Sequence, residues 1–513
     1  MEQSGAVDSA EVPRLATALP PPGVEVRASI AEAEAGIGRP ASSRPLVESI
    51  PILFIGMLLV RTFAAEAYIV PTGSMAPTLL GVHRDVRCTS CDFQFALGVD
   101  ENGQAGQPLC PNCGANLEHA PAAERTGDRL LVQKFFFKWR APRRWEVVVF
   151  LNPTETDQAY VKRVVGLPGE AIELINGDVY VDGKIARKTL AEVRGMRLLV
   201  HDSKYRPPAP TLFPRWRARR EDGLVSGWDP GDSHEGSASA FPHRPSPDGP
   251  AGPAIDWLEY LHVDPDRGHY GPIRDFVAYN GARLGSGRRV EDLMLEADLE
   301  LSEGIEALAL RFLSASGPLV LAIPLRGQAP PSVEFLGRHY RTEDGAVALA
   351  ASWANRPGPR RLEASFFDHR LIVALDGEPL FEPLDLDPPS RTPPPTPLLE
   401  PPIALGVVGQ GADVSRLRVY RDVYYTDGQS HSPVQPFAVG EPYRLGSDEY
   451  FVLGDNSPVS NDSRFWPESP VVPGAMLLGK PFLVHLPSRG VPLRVFGGEP
   501  YWVPDLREIR YIR

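Results

Sequence analysis

Four thiols, one hydroxyl and one amine in this chain of 513 residues have the types and spacing to do chemistry. The only four cysteines, Cys88, Cys91, Cys110 and Cys113, form a C-x2-C pair, a gap of 18 residues and a second C-x2-C pair. Each pair can turn sharply and offer two sulfur ligands, the pattern of a four-thiolate zinc site, and four protein ligands leave no open position for a substrate. A zinc here would be structural. Two disulfides or four free thiols are the alternatives, and an oxidising compartment favours the disulfides. The hydroxyl is Ser74, in the loop Pro71-Thr-Gly-Ser-Met-Ala-Pro-Thr-Leu79. A serine nucleophile needs a base, yet the sequence offers neither a G-x-S-x-G elbow nor an obvious His–Asp pair. A lysine can serve if apolar burial keeps it neutral, because desolvation disfavours the ammonium form. Lys162 is the candidate amine, in Tyr160-Val-Lys-Arg-Val-Val-Gly-Leu-Pro-Gly169. Read alone, Ser74 also fits an ordinary loop serine bonded to backbone, and alternation along its strand also fits a solvated Lys162.

The elements that must position these groups are mainly strands. With 55 prolines and 47 glycines, the composition predicts many turns and a β-rich fold, not a helix bundle. A net charge of -12 without a clustered basic surface gives no nucleic-acid footprint. Residues 1–45 read as a disordered tail, cytoplasmic if the next segment spans a membrane. Residues 46–67 read as a single transmembrane helix, with only 12 uncharged residues between Glu48 and Arg61 unless Arg61 snorkels and lets Thr62–Ala65 extend the span. A cleavable signal peptide does not fit the long, acid-containing stretch before it.

Beyond the cysteine pairs, Arg129–Phe137, Glu146–Phe150, Ala159–Val165 and Ala171–Ile175 predict a mostly antiparallel β domain. Asn176-Gly177 and Asp182-Gly183 suit tight hairpins. Residues 68–202 are its first part, interrupted by the ribbon at 88–113, and 430–513 its second. Between them, 203–429 reads as an inserted unit: a loop-rich stretch to Gly271, then strands near 290–301, 307–313, 319–323, 347–353, 362–367, 371–375, 403–409 and 414–420. A hairpin is expected to close at Asp368-His369, and Pro388 to Pro402 reads as a polyproline-like loop. Strands recurring with turns between them predict a β-sandwich, similar in pattern to concanavalin-like laminin-G modules; such sandwiches often bind glycans, so a glycan or protein ligand is expected for the insert.

Four boxes, Pro71–Leu79, Gly127–Lys134, Tyr160–Glu170 and Gly454–Arg464, occur in the order found in type I signal peptidases, the membrane-bound Ser/Lys peptidases. The resemblance covers about 67–190 and 430–486. It implies a signal-peptidase-like β domain on an N-terminal membrane helix, and Leu59-Val-Arg-Thr-Phe63 resembles the end of the family's anchor. By this resemblance Ser74 is the nucleophile and Lys162 the general base. Thr72 contributes an oxyanion-hole hydroxyl beside the Ser74 amide, where the family more often has Ser, and Ser460 orients the lysine. Asp462 with Arg464, and Asp455 near Arg163, look like the family's structural ion pairs. Tyr68, Val70, Pro71, Leu79, Tyr160 and Val161 correspond to positions lining small apolar substrate pockets.

The sequence departs from the family at Arg144-Trp-Glu146, commonly Arg-Gly-Asp, and at Ser457-Pro458, commonly Arg-Asp. The activity implied is removal of signal peptides from secreted preproteins after A-x-A sites, with no catalytic cofactor. It would occur at the inner (cytoplasmic) membrane, with the β domain on the extracytoplasmic side of the bilayer. The competing reading is a non-catalytic, membrane-tethered binding protein that uses the sandwich and the ribbon.

Overall fold

A computed structural model describes residues 65–512 apart from 101, 118–121, 155–156, 208–212, 231–240, 245–253, 284–286, 327–328, 343–357, 387–399, 410, 427–434 and 494–500, together with Ser49, Pro51, Phe54 and Ile55. The chain divides into two units, Met1–Leu59 and Val60–Arg513. In the first, Ser49, Pro51, Phe54 and Ile55 are helical. Among the described residues no helix is long and apolar enough to cross a membrane. The expected tail and most of the expected span at 46–67 lie outside the described residues, and the last residues of that span belong to a strand, Ala65–Ile69.

The second unit is built on a curled antiparallel sheet. Its strands run in the order Ala65–Ile69, Arg129–Lys134, Leu477–Leu486, Val147–Leu151, Ala159–Gly166, Glu449–Leu453 and Val472–Pro473, with Arg510–Tyr511 added to Leu477–Leu486. Distant parts of the chain therefore interleave in one sheet. Side chains alternate between its faces. Val147 and Val149 pack with Val70, Met75, Leu79 and Val132, whereas Val148 and Phe150 pack with Val164, Val452 and Trp466.

The strand expected over Arg129–Phe137 stops at Lys134. Phe135 has φ 62, which turns the chain out of the sheet into a short helix, Phe136–Trp139. A smaller sheet carries the expected tight turns. Asn176-Gly177 (φ 52 and 96) and Asp182-Gly183 (φ 47 and 79) have the paired positive φ that matches strand twist in two-residue hairpins. The cysteine module contributes a separate sheet, with His83–Arg87 between Gln94–Gly98 and Ala122–Arg125.

The insert is a pair of antiparallel sheets enclosing a large apolar core that includes Leu258, Leu295, Phe312, Val373, Leu405 and Leu417. The hairpin at Asp368-His369 forms, both residues having positive φ. The boundary at 203 is too late: Leu198–Asp202 pairs with Ala412–Arg421 in an insert sheet. The stretch to Gly271 is also more regular than expected, because Trp216–Arg220 and Asp256–Tyr260 pair with each other and the latter pairs with Ile403–Gly409. Their charged residues obscured the alternation: Glu259 is buried yet bonded to Arg217, Arg219 and Arg311. The expected strand at 347–353 and most of the proline loop at 388–402 lie outside the described residues.

Insert and core domain are joined by a buried cation. Lys188 Nζ lies 2.8 Å from Asp368 and 2.7 Å from Asp422, one on the insert's hairpin and one where the chain leaves it. The helix Leu190–Met196 that follows is capped reciprocally by Thr189 and Glu192. Its Val193 packs against Met294, Phe367, Ile372 and Tyr420 of the insert.

Candidate active site

Ser74 sits on a tight loop whose Met75 and Leu79 pack on the apolar face formed by Leu130, Val132, Val147 and Val149. The loop needs glycine at 73, where a Cβ would lie 2.0 Å from the Tyr279 ring. Across the loop runs the Ala159–Gly166 strand, in which Lys162 pairs with Val148. Alternation then puts Tyr160 and Val164 on the same face as Lys162, so apolar surface surrounds its stem.

Lys162 Nζ and Ser74 Oγ are 2.7 Å apart, although the two residues are 88 positions apart in sequence. Lys162 is 3% exposed. Burial, assisted by the Arg464 charge, lowers the Lys162 pKa from its ordinary 10.5 to about 8, with Asp462 and Asp455 opposing the fall. With a pKa near 8, roughly a tenth to a fifth of the amine is neutral at pH 7 to 7.4, far more than for an ordinary lysine, which suits a candidate general base.

The neighbouring charges are clamped. The Arg163 fork meets the Asp455 carboxylate at 2.8 and 2.5 Å, and Thr78 Oγ1 donates to the same carboxylate at 2.6 Å. Arg163 also donates to the carbonyl of Trp145, at 2.7 Å. Arg464 bonds Asp462 at 2.9 and 2.7 Å, and reaches the carbonyl of Thr426 and the hydroxyl of Ser457, both at 2.7 Å. Burial alone would raise the Asp462 pKa, but Arg464 and the Gly454 N–H hold it below the usual carboxylate range. These pairs are buried and multiply bonded, the condition under which ion pairs fix geometry.

Thr72 Oγ1 lies 3.4 Å from Ser74 Oγ, at the edge of hydrogen-bond range. Ser460 is buried beside Gly454, where a Cβ would come 2.2 Å from its hydroxyl. The Ser460 hydroxyl makes no well-formed hydrogen bond to Lys162 or to another group among the described residues, though it is near enough to Asp462 to favour that carboxylate's charged form.

A cleft of ≈ 480 Å³ opens at Ser74 and Lys162. Tyr68, Val70, Pro71, Tyr160 and Val161 line it, joined by Leu130 and Val149. Leu79 does not: it is fully buried in the core beneath. Two polar walls were missed by sequence reasoning. Asp100 and Gln104 come from the cysteine module, and Tyr279 and Asn280 from the insert. Leu130 and Val149 could have been found by extending strand alternation to their neighbours, but nothing local marks a residue 200 positions away as a cleft wall. Asn456 stood in the last box without a role; its side chain donates to the Gly73 carbonyl at 2.8 Å.

The four cysteines form a candidate metal site, their sulfurs within 4.8 Å of one another. Cys88 and Cys113, and Cys91 and Cys110, are 3.6 Å apart, far outside a bonded disulfide (about 2.05 Å) and near the spacing of roughly 3.8 Å that thiolates take around a tetrahedral zinc. The Cys91 N–H points to Cys88 Sγ at 3.4 Å, as in a ligand knuckle. Asp178, Asp292 and Asp368 also converge, but Lys188 already supplies a cation to Asp368.

A family model described as "Signal peptidase, peptidase S26" matches residues 117–220 and 373–486. That match takes in Lys162, Asp455, Ser460 and Asp462 but begins after Ser74. The chain is similar to signal peptidase I of Leptolyngbya laminosa, 27% identical over 163 residues, 30% of this chain and 58% of that protein. It is also similar to a probable signal peptidase I-2 of Synechocystis, 31% identical over 140 residues, 26% of this chain and 42% of that protein. The chain thus spans about half the length of the curated relatives it matches. Among solved structures, the carbohydrate binding module CBM66 from Bacillus subtilis matches 40% of this chain and 94% of its own, at 13% identity and a TM-score of 0.21, a likeness too slight to bear on function.

Proposed function

We propose that this chain is a membrane-bound serine endopeptidase that removes signal peptides from secreted preproteins. The observation that carries the reading is the 2.7 Å approach of a buried amine to a loop hydroxyl at the floor of a cleft. Neutral Lys162 accepts the Ser74 proton as Oγ attacks the scissile carbonyl. The oxyanion is held by the Ser74 N–H and the Thr72 hydroxyl, a donor of this kind being worth about 3 kcal/mol in the transition state. The lysine then gives its proton to the departing amine, leaving an ester on Ser74. A water whose proton passes to Lys162 attacks that ester; the acid leaves and the proton returns to Oγ.

The substrate adds as an extended strand along the edge strand Ala65–Ile69 and beside Ala159–Val161, the end of its strand that Glu449–Leu453 does not pair. Apolar walls at Val70, Val149 and Val161 suit small side chains before the cut, the A-x-A pattern. The similarity to signal peptidases and the apolar run before Arg61 support placement at the outer face of the cytoplasmic membrane. A zinc on the four cysteines would be structural.

The test is cleavage of a preprotein by the purified full chain, with Ser74→Ala and Lys162→Ala each folded and inactive. Equal cleavage by all three proteins would discard the dyad.

A further inference from the structure

A turn of the insert, Ala278–Arg283, lies directly on the Ser74 loop. The Tyr279 hydroxyl donates to the Val82 carbonyl at 2.7 Å, and its ring covers Gly73. The next residue forms a reciprocal amide pair with the core domain. Asn280 Nδ2 donates to Asn456 Oδ1 at 2.8 Å, and Asn456 Nδ2 donates to Asn280 Oδ1 at 2.7 Å. The second hydrogen of Asn456 Nδ2 goes to the Gly73 carbonyl at 2.8 Å, where the Ala76 N–H also donates, at 3.0 Å. The Asn456 backbone N–H donates to the Ser74 carbonyl at 3.0 Å. Both carbonyls flanking the nucleophile's backbone are therefore held by one asparagine, whose side-chain orientation is held by another.

The Gly73 carbonyl and the Ser74 N–H belong to one peptide group, which is planar and trans, so the two point in opposite directions. Fixing the carbonyl oxygen fixes where the N–H aims, and that N–H is the main-chain oxyanion donor of the proposed mechanism. An amide that is free to rock forfeits part of its worth, because preorganised donors act by needing no reorganisation when charge develops.

We infer that Asn280, a residue of the inserted domain, is a positioning residue that acts through Asn456 to aim the Ser74 amide at the oxyanion. The peptidase core of this chain thus depends on the insert for the aim of its main-chain oxyanion donor, and the insert's seating governs turnover. This rests on Ser74 being the nucleophile.

The test is steady-state cleavage of a preprotein by the full chain. Variants are Asn280→Ala, Asn456→Ala and both together, with Asn280→Asp as an isosteric second variant that cannot donate to Asn456 Oδ1. Expected is a fall in kcat of about tenfold to a hundredfold in Asn280→Ala, less than the loss of a whole oxyanion donor, with KM within about twofold. The double variant should be no slower than Asn456→Ala alone, since residues acting in series do not add. If Asn280→Ala does not fold, a loss of kcat in Asn280→Asp carries the same weight, and wild-type kcat in it overturns the inference. Wild-type kcat in a folded Asn280→Ala, a rise in KM alone, or additive losses in the double variant would each overturn the role of Asn280 and leave the dyad standing. No cleavage by the wild-type chain would instead remove the nucleophile on which the inference rests.

Discussion

Arg163 and Asp455 face each other fork to fork at 2.8 and 2.5 Å, both fully shielded from water, and Arg163 directly follows Lys162 in its strand. Next to Asp455 in sequence is Asn456, which bonds the carbonyls of Gly73 and Ser74. One ion pair therefore registers the strand that carries the amine against the loop that meets the hydroxyl. Asp455→Ala leaves a buried guanidinium without its partner. The expected loss is about 3–5 kcal/mol of stability, read by denaturant unfolding. Arg163→Met/Asp455→Leu, which removes both charges, should recover much of that stability without recovering cleavage.

In the proposed mechanism Lys162 sets the pH dependence. Its pKa is about 8, depressed chiefly by burial, so kcat/KM should rise with pH and level off above a midpoint near 8. A profile flat from pH 6 to 9 would contradict a titrating amine. Stability moves in a related way. The folded chain binds fewer protons at this site than the unfolded chain between pH 8 and 10.5, so stability rises across that window, and below it the full cost of burying the charge is borne. Lys162→Met should accordingly be more stable than wild type at pH 7, by about 3 kcal/mol from the size of the shift, with the difference vanishing near pH 10.5. Urea midpoints at the two pH values measure this.

Contacts that hold the glycines of the boxes are largely distant: Gly73 meets the Tyr279 ring, and Gly454 meets the Ser74 carbonyl as well as Ser460. The candidate pair Ser74 and Lys162 could still be picked out because each box is a short contiguous stretch that the family resemblance matches as a block. The hairpins were legible for a similar reason, since Asn176-Gly177 tolerates the positive φ that the turn demands. What could not be read was set by tertiary contact. Asp256–Tyr260 is wholly buried and breaks alternation with Asp256 and Glu259, whose charges are met by groups elsewhere in the fold. Trp145 adopts φ 68, where glycine would be expected, and is held by packing and by the Arg163 bond to its carbonyl. Leu79, which the resemblance places among the pocket-lining positions, is buried in the core instead. Asn280 carries no local signal at all, because its partner lies 176 positions away.

Lys188 tests whether the insert is fixed to the core by charge. It is the buried cation between Asp368 and Asp422, and the Asp422 pKa is already pushed up to about 6, mainly by burial and despite Lys188. Burial likewise raises Asp178 and Asp292 nearby. Removing the cation with Lys188→Met should cost about 3–5 kcal/mol at neutral pH. For acids raised in the folded state, the stabilising contribution is complete below the unfolded pKa, near 4, and is lost as pH rises through about 6. The variant should therefore be closest to wild type near pH 4 and fall away above pH 6. A deficit independent of pH would mean that Lys188 acts through packing alone.

The cysteine module gives the last prediction. Cys88, Cys91 and Cys110 are buried in a small cluster with Val86, Phe95, Leu97 and Leu117, and small modules of this kind commonly rely on a metal or disulfide staple. Metal analysis of the purified chain should find one bound zinc, and Cys91→Ser or a strong chelator should remove it. Because Gly98, Asp100, Gln104 and Gly106 of this module line the cleft, metal loss should loosen one wall. The expected signature is a lower melting temperature together with a KM raised several-fold, while kcat, set at Lys162 and the Ser74 amide, changes little. Thiol counting separates a metal site from disulfides, and the metal analysis separates it from free thiols. Four titratable thiols after denaturation in chelator fit a metal site. None would replace it with two disulfides, and the chelator would then leave the melting temperature unchanged.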